Sequence, residues 1–281
     1  MSAIIIWDVA LLITLMVIGV PVALTFVAAA LFLIFMGEYG STSFLITSGF
    51  SKTSSMVLLA IPLYILAGSI MTNGGIAKRL LDLADSVFGH YRGGLGIVTV
   101  VTTAIFGAIS GMASSAVAAI GSIMIPRMVE KGYDRGYATS FVSCSAVLAL
   151  LIPPSATMIL YGWVTGTSIT AAFLAPVIPA IILICLFCFW NYFLTRNMPL
   201  VIEDKPDFKT ARQNIFLKTR RAGFGLAMPL IILGFIYGGV TTPTEAAAVA
   251  VMYALPVAFW IYKEMTWNSF YEAVWKAAQV T

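Results

Sequence analysis

Long apolar stretches separated by short polar ones run along the chain, and this alternation predicts a series of membrane-spanning helices. The first apolar stretch is much longer than the ~20 residues that one crossing needs. Gly19-Val20-Pro21 interrupts it near the middle, and a proline disrupts the interior of a helix. We therefore predict two short spans, 3–18 and 20–37, followed by a polar loop at 38–52 and another span at 54–72.

Residues 76–90 follow a different pattern, in which apolar and charged side chains fall on different faces of one helix. The apolar positions are Ile76, Leu80, Leu83, Ala84 and Val87. The charged positions are Lys78, Arg79, Asp82 and Asp85. This pattern is typical of an amphipathic helix that lies in the membrane interface, and we assign residues 73–92 to one interfacial arm. The single histidine, His90, is then an interfacial residue rather than a metal ligand.

Residues 95–126 are apolar enough for a membrane, yet their middle, 110–115 (Ser-Gly-Met-Ala-Ser-Ser), is small and rich in hydroxyl groups. We interpret this stretch as a re-entrant helical hairpin that turns at Ser110-Gly111 and leaves on the side where it entered. Non-helical backbone persists at membrane depth only where protein or a water-filled cavity covers it. Such a turn exposes carbonyl groups and N–H groups that can bind a cation and an anion. The alternative is a single spanning helix with a small-residue packing face.

A second interruption lies inside the span predicted for residues 136–166. Its centre contains Pro153 and Pro154, which remove two backbone donors, followed by the hydroxyl group of Ser155. We therefore predict a discontinuous helix that breaks near the bilayer midplane. The alternative is a kink that neighbouring helices fill.

The basic residues in the loops favour the hairpin over a single crossing. Residues 196–223 form a long polar segment rich in lysine and arginine, so the positive-inside rule places them in the cytoplasm. Tracing back through the spans 171–194 and 136–166 places the charged loop 127–135 on the same side. Only a re-entrant hairpin then also leaves the arm, 73–92, in the cytoplasm.

After the polar segment the sequence repeats its opening pattern. Residues 226–262 form a second apolar pair broken at Gly238–Pro243, as the first pair is broken at Gly19–Pro21. An odd number of predicted crossings separates the two copies, so the second copy is inverted, as in many secondary transporters. Residues 270–280 would form a second amphipathic helix leading to a second hairpin. We therefore expect slightly more than half of a transporter.

The predicted fold class is an all-α polytopic membrane protein, an inverted-repeat secondary transporter with a re-entrant hairpin and a discontinuous helix. Its predicted parts are scaffold spans (1–72), the interfacial arm (73–92), a transport part (93–195), a cytoplasmic basic loop (196–223) and the start of a second repeat (224–281).

Composition agrees with a membrane protein and excludes several other classes. The chain is 60% hydrophobic and 10% charged, a balance outside that of soluble domains. The net charge of +4 comes from basic residues in short loops, which set topology and do not indicate nucleic-acid binding. Cys185 and Cys188 lack a second ligand pair, so we interpret them as small core residues. We find no nucleophile–base pair, metalloprotease motif or phosphate-binding loop, and therefore predict no enzyme.

Several short motifs occur along the chain in a fixed order. They are NGGIAKRL (73–80), GGL (93–95), FGAISG (106–111), AAIGSIMIP (118–126), GYD (132–134), IPPS (152–155) and TPTEAAAVA (242–250). Together they resemble the large membrane subunit of tripartite ATP-independent periplasmic (TRAP) transporters over nearly the whole chain. The resemblance implies a sodium-driven symporter with an elevator-type transport domain in the bacterial inner membrane. It also implies a small membrane subunit and a periplasmic solute-binding protein as partners, and a carboxylate such as a C4-dicarboxylate or sialic acid as solute.

The motifs place a candidate ion- and substrate-binding site at the two broken elements. Its residues are Gly107, Ser110, Gly111, Ser114, Ser115, Pro153, Pro154 and Ser155. We expect Ser110 and Ser155 to hold Na+, the coupling ion, and we expect no other cofactor. No lysine or arginine lies within these spans, so a substrate carboxylate would rest on half-helix N-termini and hydroxyl groups.

Two residues depart from the family's pattern. Met112 stands where the family usually has a serine, and Ala116 stands where a threonine or aspartate is common. Glu245 is the one acid in the second apolar pair, and we interpret it as a cap of the helix that starts at Thr242, with a transport role as the alternative.

Two other functions remain open from the sequence. The chain could be a membrane-embedded assembly subunit without transport of its own, or a gene fragment without function. For a transporter subunit too, we expect these 281 residues alone not to catalyse sodium-coupled uptake, because the site needs two hairpins and the second is not among them.

Overall fold

The computed structural model describes residues 2–37, 41–201 and 208–280, and the regular structure in these ranges is helical, with no strand. The predicted all-α class is confirmed. The chain divides into two compact units, Met1–Ser55 and Met56–Thr281, each described by itself below. The residues predicted as scaffold, 1–72, extend over both units, and their role as a scaffold stays a prediction.

The first unit begins with two short helices, α1 (Ser2–Val17) and α2 (Val22–Gly37), which pack against each other. The predicted break at Gly19–Pro21 is present, and Gly19 has a φ of 89°. Each helix has 16 residues, which is about 24 Å at the usual rise per residue and slightly shorter than a bilayer core of ~30 Å.

The prediction of a polar loop at 38–52 is wrong over most of that stretch. Residues 38–40 lie outside the described residues, but Thr42–Thr53 forms helix α3. Ser41 caps it, since its hydroxyl oxygen accepts a hydrogen bond of 3.2 Å from the Phe44 N–H. Thr47 donates its hydroxyl to the Ser43 carbonyl at 2.7 Å, so hydroxyl groups typical of loops are paired within the helix.

The second unit begins with a sharp corner between α4 (Ala60–Asn73) and α5 (Ile76–Phe88), which cross at 66°. Helix α5 has the predicted amphipathic pattern. Its apolar face, however, is buried within the protein against α6 and α13 instead of facing lipid. The buried residues of that face are Ile76, Ala77, Leu80, Leu81 and Ala84.

Helices α6 (Gly94–Ser110) and α7 (Ala113–Glu130) form an antiparallel hairpin. The early part of α6 faces the late part of α7, because the Thr99 hydroxyl lies 3.8 Å from the Met128 sulfur. Helix α6 has 17 residues, about 25 Å, which is less than a full crossing.

The span predicted for 136–166 is interrupted twice. Its helices are α8 (Arg135–Ser145), α9 (Leu148–Leu151) and α10 (Ala156–Thr165). The main break lies at Pro153-Pro154, where the chain bends by 46°. The discontinuous helix is therefore present, and the alternative of a mere kink is wrong.

Helices α11 (Ile169–Leu174) and α12 (Val177–Thr195) form a long apolar segment. The next helix is α13 (Phe208–Tyr237). Residues 196–223 were predicted to be a basic loop, but from Phe208 onward they are helical. The side chains of residues 209–221 are exposed or half-buried along this helix, and Ala222, at the start of its apolar part, is fully buried. Residues 202–207 lie outside the described residues.

The chain then turns into α14 (Pro243–Pro256), which continues as a short π-helical turn, Val257–Ile261. Glu245 forms a capping box with Thr242, as predicted. Its carboxylate accepts the Thr242 N–H at 2.7 Å, and the Thr242 hydroxyl oxygen accepts the Glu245 N–H at 3.3 Å. Three helices of the described ranges are long and apolar enough to cross a membrane unaided: Ile169–Thr195, Lys209–Tyr237 and Pro243–Ile261.

The last helix, α15 (Trp267–Val280), covers the predicted amphipathic segment at 270–280. Its place in the repeat differs from the prediction. When Pro21 is aligned with Pro243, α15 falls on α3, and not on α5, the helix that precedes the hairpin. In this register α15 is therefore two helices earlier in the repeat than predicted.

Candidate functional site

The turn of the hairpin lies against the broken helix. Gly111 ends α6 with a φ of 62°, in the left-handed region that favours glycine. A β-carbon on Gly111 would lie 2.9 Å from the Pro154 carbonyl oxygen and 3.5 Å from the Ser155 Cα. The hairpin turn and the cis Pro153-Pro154 segment are therefore in direct contact, as the predicted site requires.

Close backbone packing holds this contact in place on two sides. A β-carbon on Gly107 would clash with the Ala149 backbone of α9. A β-carbon on Gly68 of α4 would lie 2.7 Å from the Ser110 Cα. Two helices, α9 and α4, thus approach the end of α6 at distances that only glycine permits.

A cleft of about 390 Å³ opens beside this contact, and we call it the tip cleft. Its lining residues are Ile61, Ile65, Gly111, Met112, Ala113, Ser114, Leu150, Ala156, Thr157 and Leu160. The lining contains the first residues of two helices, α7 and α10, and neither helix has a side-chain cap. The unpaired N–H groups of a first turn and the positive end of the helix dipole favour an anion at such a place.

Two buried serines flank the contact between the hairpin turn and the broken helix. Ser110 is 1% exposed and Ser155 is fully buried. The Ser110 hydroxyl makes only a long hydrogen bond, 3.5 Å, to the Met112 carbonyl. The Ser155 and Thr157 hydroxyl groups are paired at 2.8 Å. Thr157 is absent from the residues predicted from sequence, although its hydroxyl group two residues after Ser155 was the available signal.

The predicted site residues do not all come together. Ser114 lines the tip cleft, whereas Ser115 lines a second, polar cleft between α4, α7 and α15. That polar cleft has a volume of about 270 Å³ and includes Asn73, Glu272 and Lys276. Ser115 therefore does not belong to the geometry of the tip cleft.

The tip cleft has no charged side chain in its lining. Among residues 2–37, 41–201 and 208–280, no three His, Cys, Asp or Glu side chains group as a metal site. An ion or an anionic solute in the cleft would therefore be bound by hydroxyl groups, carbonyl oxygens and backbone N–H groups. Oxygen ligands of this kind suit a hard cation.

Both ends of the hairpin lie at one face of the unit. Arg127, late in α7, forms an ion pair of 2.8 Å with Asp85 of α5, the helix that leads into the hairpin. The Val201 N–H donates to the Lys131 carbonyl at 3.0 Å, which brings the segment after α12 to the same place. Burial raises the pKa of Tyr133, also in this region, to about 12, so its phenol stays neutral. The hairpin therefore returns to the face from which it started.

Comparisons with known proteins agree with the resemblance carried by the motifs. A family model described as "Tripartite ATP-independent periplasmic transporter, DctM component" matches residues 9–281. A C4-dicarboxylate TRAP transporter large permease protein DctM from Vibrio cholerae is 37% identical over 256 residues, which are 91% of this chain and 56% of the relative.

Two further relatives are named for other solutes. The isethionate TRAP transporter permease protein DctMQ of Oleidesulfovibrio alaskensis is 35% identical over 94% of this chain and 41% of its own length. The ectoine TRAP transporter large permease protein TeaC of Halomonas elongata is 35% identical over 94% of this chain and 61% of its own length. The chain spans about half the length of the curated relatives it matches. It is thus a membrane protein of a transporter family, not of an enzyme family, and it belongs to the DctM component of the tripartite ATP-independent periplasmic transporters.

Proposed function

We propose that the chain provides half of the permease site of a sodium-driven symporter, which imports an anionic solute, a carboxylate, across the bacterial inner membrane. The observation that carries this proposal is the tip cleft, where the uncapped N-termini of α7 and α10 meet at one uncharged opening. The periplasmic binding protein that delivers the solute and the small membrane subunit are part of the same proposal. For these two partners, the proposal is supported by the chain's membership of the family.

The solute carboxylate would lie against the first turns of α7 and α10. Helix N-termini bind anions without a buried lysine or arginine, which would be costly inside a bilayer. Each favourable helix end contributes roughly 0.3–2 kcal/mol to binding a negative charge. The relatives are named for C4-dicarboxylates, for ectoine, which carries a carboxylate, and for isethionate, which is a sulfonate. We therefore propose a carboxylate as the class of solute and name no single compound.

Sodium would bind just below, at the end of α6. The last turn of a helix presents carbonyl oxygens that have no partner in the helix. Ser110 adds a buried hydroxyl oxygen that makes only a long hydrogen bond, and Ser155 adds another from the broken helix. A cation there would draw the hairpin and the broken helix together, which would couple its binding to the shape of the tip cleft above.

The test is uptake of a labelled C4-dicarboxylate by vesicles that contain the permease, with its second repeat, and both partner subunits. An inward Na+ gradient should drive accumulation, and an equal K+ gradient should not. A matched variant, Lys209→Ala, changes an exposed residue far along the chain from the hairpin and should leave uptake unaltered. Equal uptake in the two gradients would overturn the sodium coupling, and no uptake of any carboxylate would overturn the solute class.

A further inference from the structure

A third cleft, distinct from the tip cleft and from the polar cleft, lies between α5, the start of the apolar part of α13 and the segment after the π-helical turn. Its volume is about 380 Å³, and we call it the basic cleft. The charged residues in its lining are Lys78, Arg79, Asp82, Arg220, Arg221 and Glu264. Nothing in the proposed transport cycle uses these residues.

One of the four cations is already neutralised. Arg79 forms an ion pair of 2.8 Å with Glu264, and its guanidinium lies 3.9 Å from the centre of the Tyr262 ring. Arg79 also donates to the Gly75 carbonyl at 3.0 Å. These contacts fix Arg79 as a part of the wall of the cleft.

The remaining charges leave an excess of positive charge. Lys78, Arg220 and Arg221 are exposed in the cleft and face a single carboxylate, Asp82. None of these four forms an ion pair with a side chain in the part of the chain that the structure describes. Three cations against one acid would attract a ligand with negative charge.

The position of the cleft along α13 places it at the level of the membrane surface. Arg220 and Arg221 immediately precede the apolar stretch of α13 that runs from Ala222 to Tyr237. One turn further on, the Ile76 side chain packs against the Gly225 backbone, which places the start of α5 at the same level. Basic residues at the end of a span lie at the boundary between hydrocarbon and water.

The cleft also has an apolar edge. Phe224 and Ile261 line it and are 46% and 44% exposed. Both lie on the side of the cleft that continues into the apolar spans, whereas Arg220 and Arg221 lie at its polar end. A ligand that fills the cleft must therefore carry a negative group at one end and an apolar body at the other.

We propose that the basic cleft binds the headgroup phosphate of an anionic phospholipid, with an acyl chain along Phe224 and Ile261. Lys78 from α5 and the two arginines from α13 would contact the phosphate together, so one lipid would link these helices. Clusters of basic residues next to a span attract anionic lipid through the same electrostatics. A soluble phosphate would satisfy the cations and leave the apolar edge uncovered.

The test is native mass spectrometry of the 281-residue protein released from nanodiscs that contain phosphatidylcholine and phosphatidylglycerol. We expect phosphatidylglycerol to be retained preferentially. The double variant Arg220→Gln/Arg221→Gln should lower that preference by roughly tenfold or more. Lys78→Gln, from a different helix, should lower it by a smaller factor. The matched control is Lys209→Gln/Arg212→Gln, which removes the same charge from the same helix outside the cleft.

Three outcomes would overturn the proposal. The first is an equal loss of preference in the control, which would mean that overall surface charge selects the lipid. The second is unchanged retention in the Arg220→Gln/Arg221→Gln variant with the helical circular dichroism of the original protein. The third is complete displacement of the lipid by inorganic phosphate, which would identify a site for soluble phosphate.

Discussion

Gly111 is the residue on which the contact between the hairpin and the broken helix depends most directly. Its φ of 62° and its closeness to the Pro154 carbonyl both exclude a side chain. We expect Gly111→Ala to lower the free energy of unfolding by about 1–3 kcal/mol, the usual cost of a strained backbone position. Thermal unfolding in detergent measures this change. The control Gly234→Ala, at a helical position with free space around it, should be neutral or slightly stabilising, and an equal loss in both variants would contradict the assignment.

Ser110 and Ser155 are the hydroxyl groups assigned to the coupling ion. Because each substitution removes one oxygen ligand, Ser110→Ala and Ser155→Ala should raise the Na+ concentration needed for half-maximal uptake. Thr157→Val, which removes the partner of the Ser155 hydroxyl, should have a smaller effect of the same sign. Sodium titrations of uptake by the assembled transporter measure all three. Unchanged titrations in both serine variants would show that the ion binds elsewhere.

The sequence could indicate which residue types form the candidate site, but not which cleft each side chain faces. Glycine, proline and serine mark the two breaks because each acts locally on the backbone. Whether Ser114 or Ser115 faces the tip cleft depends on where α7 begins, since one residue rotates a helix position by ~100°. The structure starts α7 at Ala113, which directs Ser114 into the tip cleft and Ser115 away from it.

Among the helices, the two that form the hairpin constrain the topology most strongly. The Asp85–Arg127 ion pair joins α5, the helix that leads into the hairpin, to the last part of α7, so α5 and the loop after α7 must lie on one side of the membrane. We expect a cysteine at Asp82 or Glu130 to react with a membrane-impermeant maleimide only from the cytoplasm, and one at Thr47 only from the periplasm. The background should lack the native Cys144, Cys185 and Cys188. If the cysteine at position 82 reacted only from the periplasm, the re-entrant hairpin would be excluded.

The positions of the helix breaks could be predicted, whereas two of the helices could not. Breaks at Gly19–Pro21 and Pro153-Pro154 follow from the proline backbone, which lacks an N–H donor and disrupts a helix whatever packs against it. The sequence favours loops over helix α3 and the first part of α13, because serine, threonine, lysine and arginine suit a loop as well as an exposed helix surface. In α13 the described side chains of residues 209–221 are exposed or half-buried, and full burial begins only at Ala222, so packing gave no signal for the first part.

At the scale of the whole molecule, the tip cleft is half of the proposed site. The described residues contain one hairpin of this kind, and an inverted-repeat transporter closes its site from both sides with one hairpin from each repeat. Residues 1–281 expressed alone with the partner subunits should therefore show no Na+-gradient-driven uptake. Co-expression with a second polypeptide that carries the remaining repeat of a relative should restore it. Robust uptake by residues 1–281 alone would contradict the requirement for two hairpins.

The most direct measurement compares two adjacent positions that face different clefts. In a cysteine-free background of the assembled transporter, Ser114→Cys places a thiol in the tip cleft and Ser115→Cys places one in the polar cleft beside α15. Alkylation rates are measured with solute present, in Na+ and in K+. We expect solute to protect position 114 in Na+ but not in K+, and to leave position 115 unprotected in both. Equal protection at the two positions, or protection at 115 alone, would show that the tip cleft is not the site of the ion and the solute.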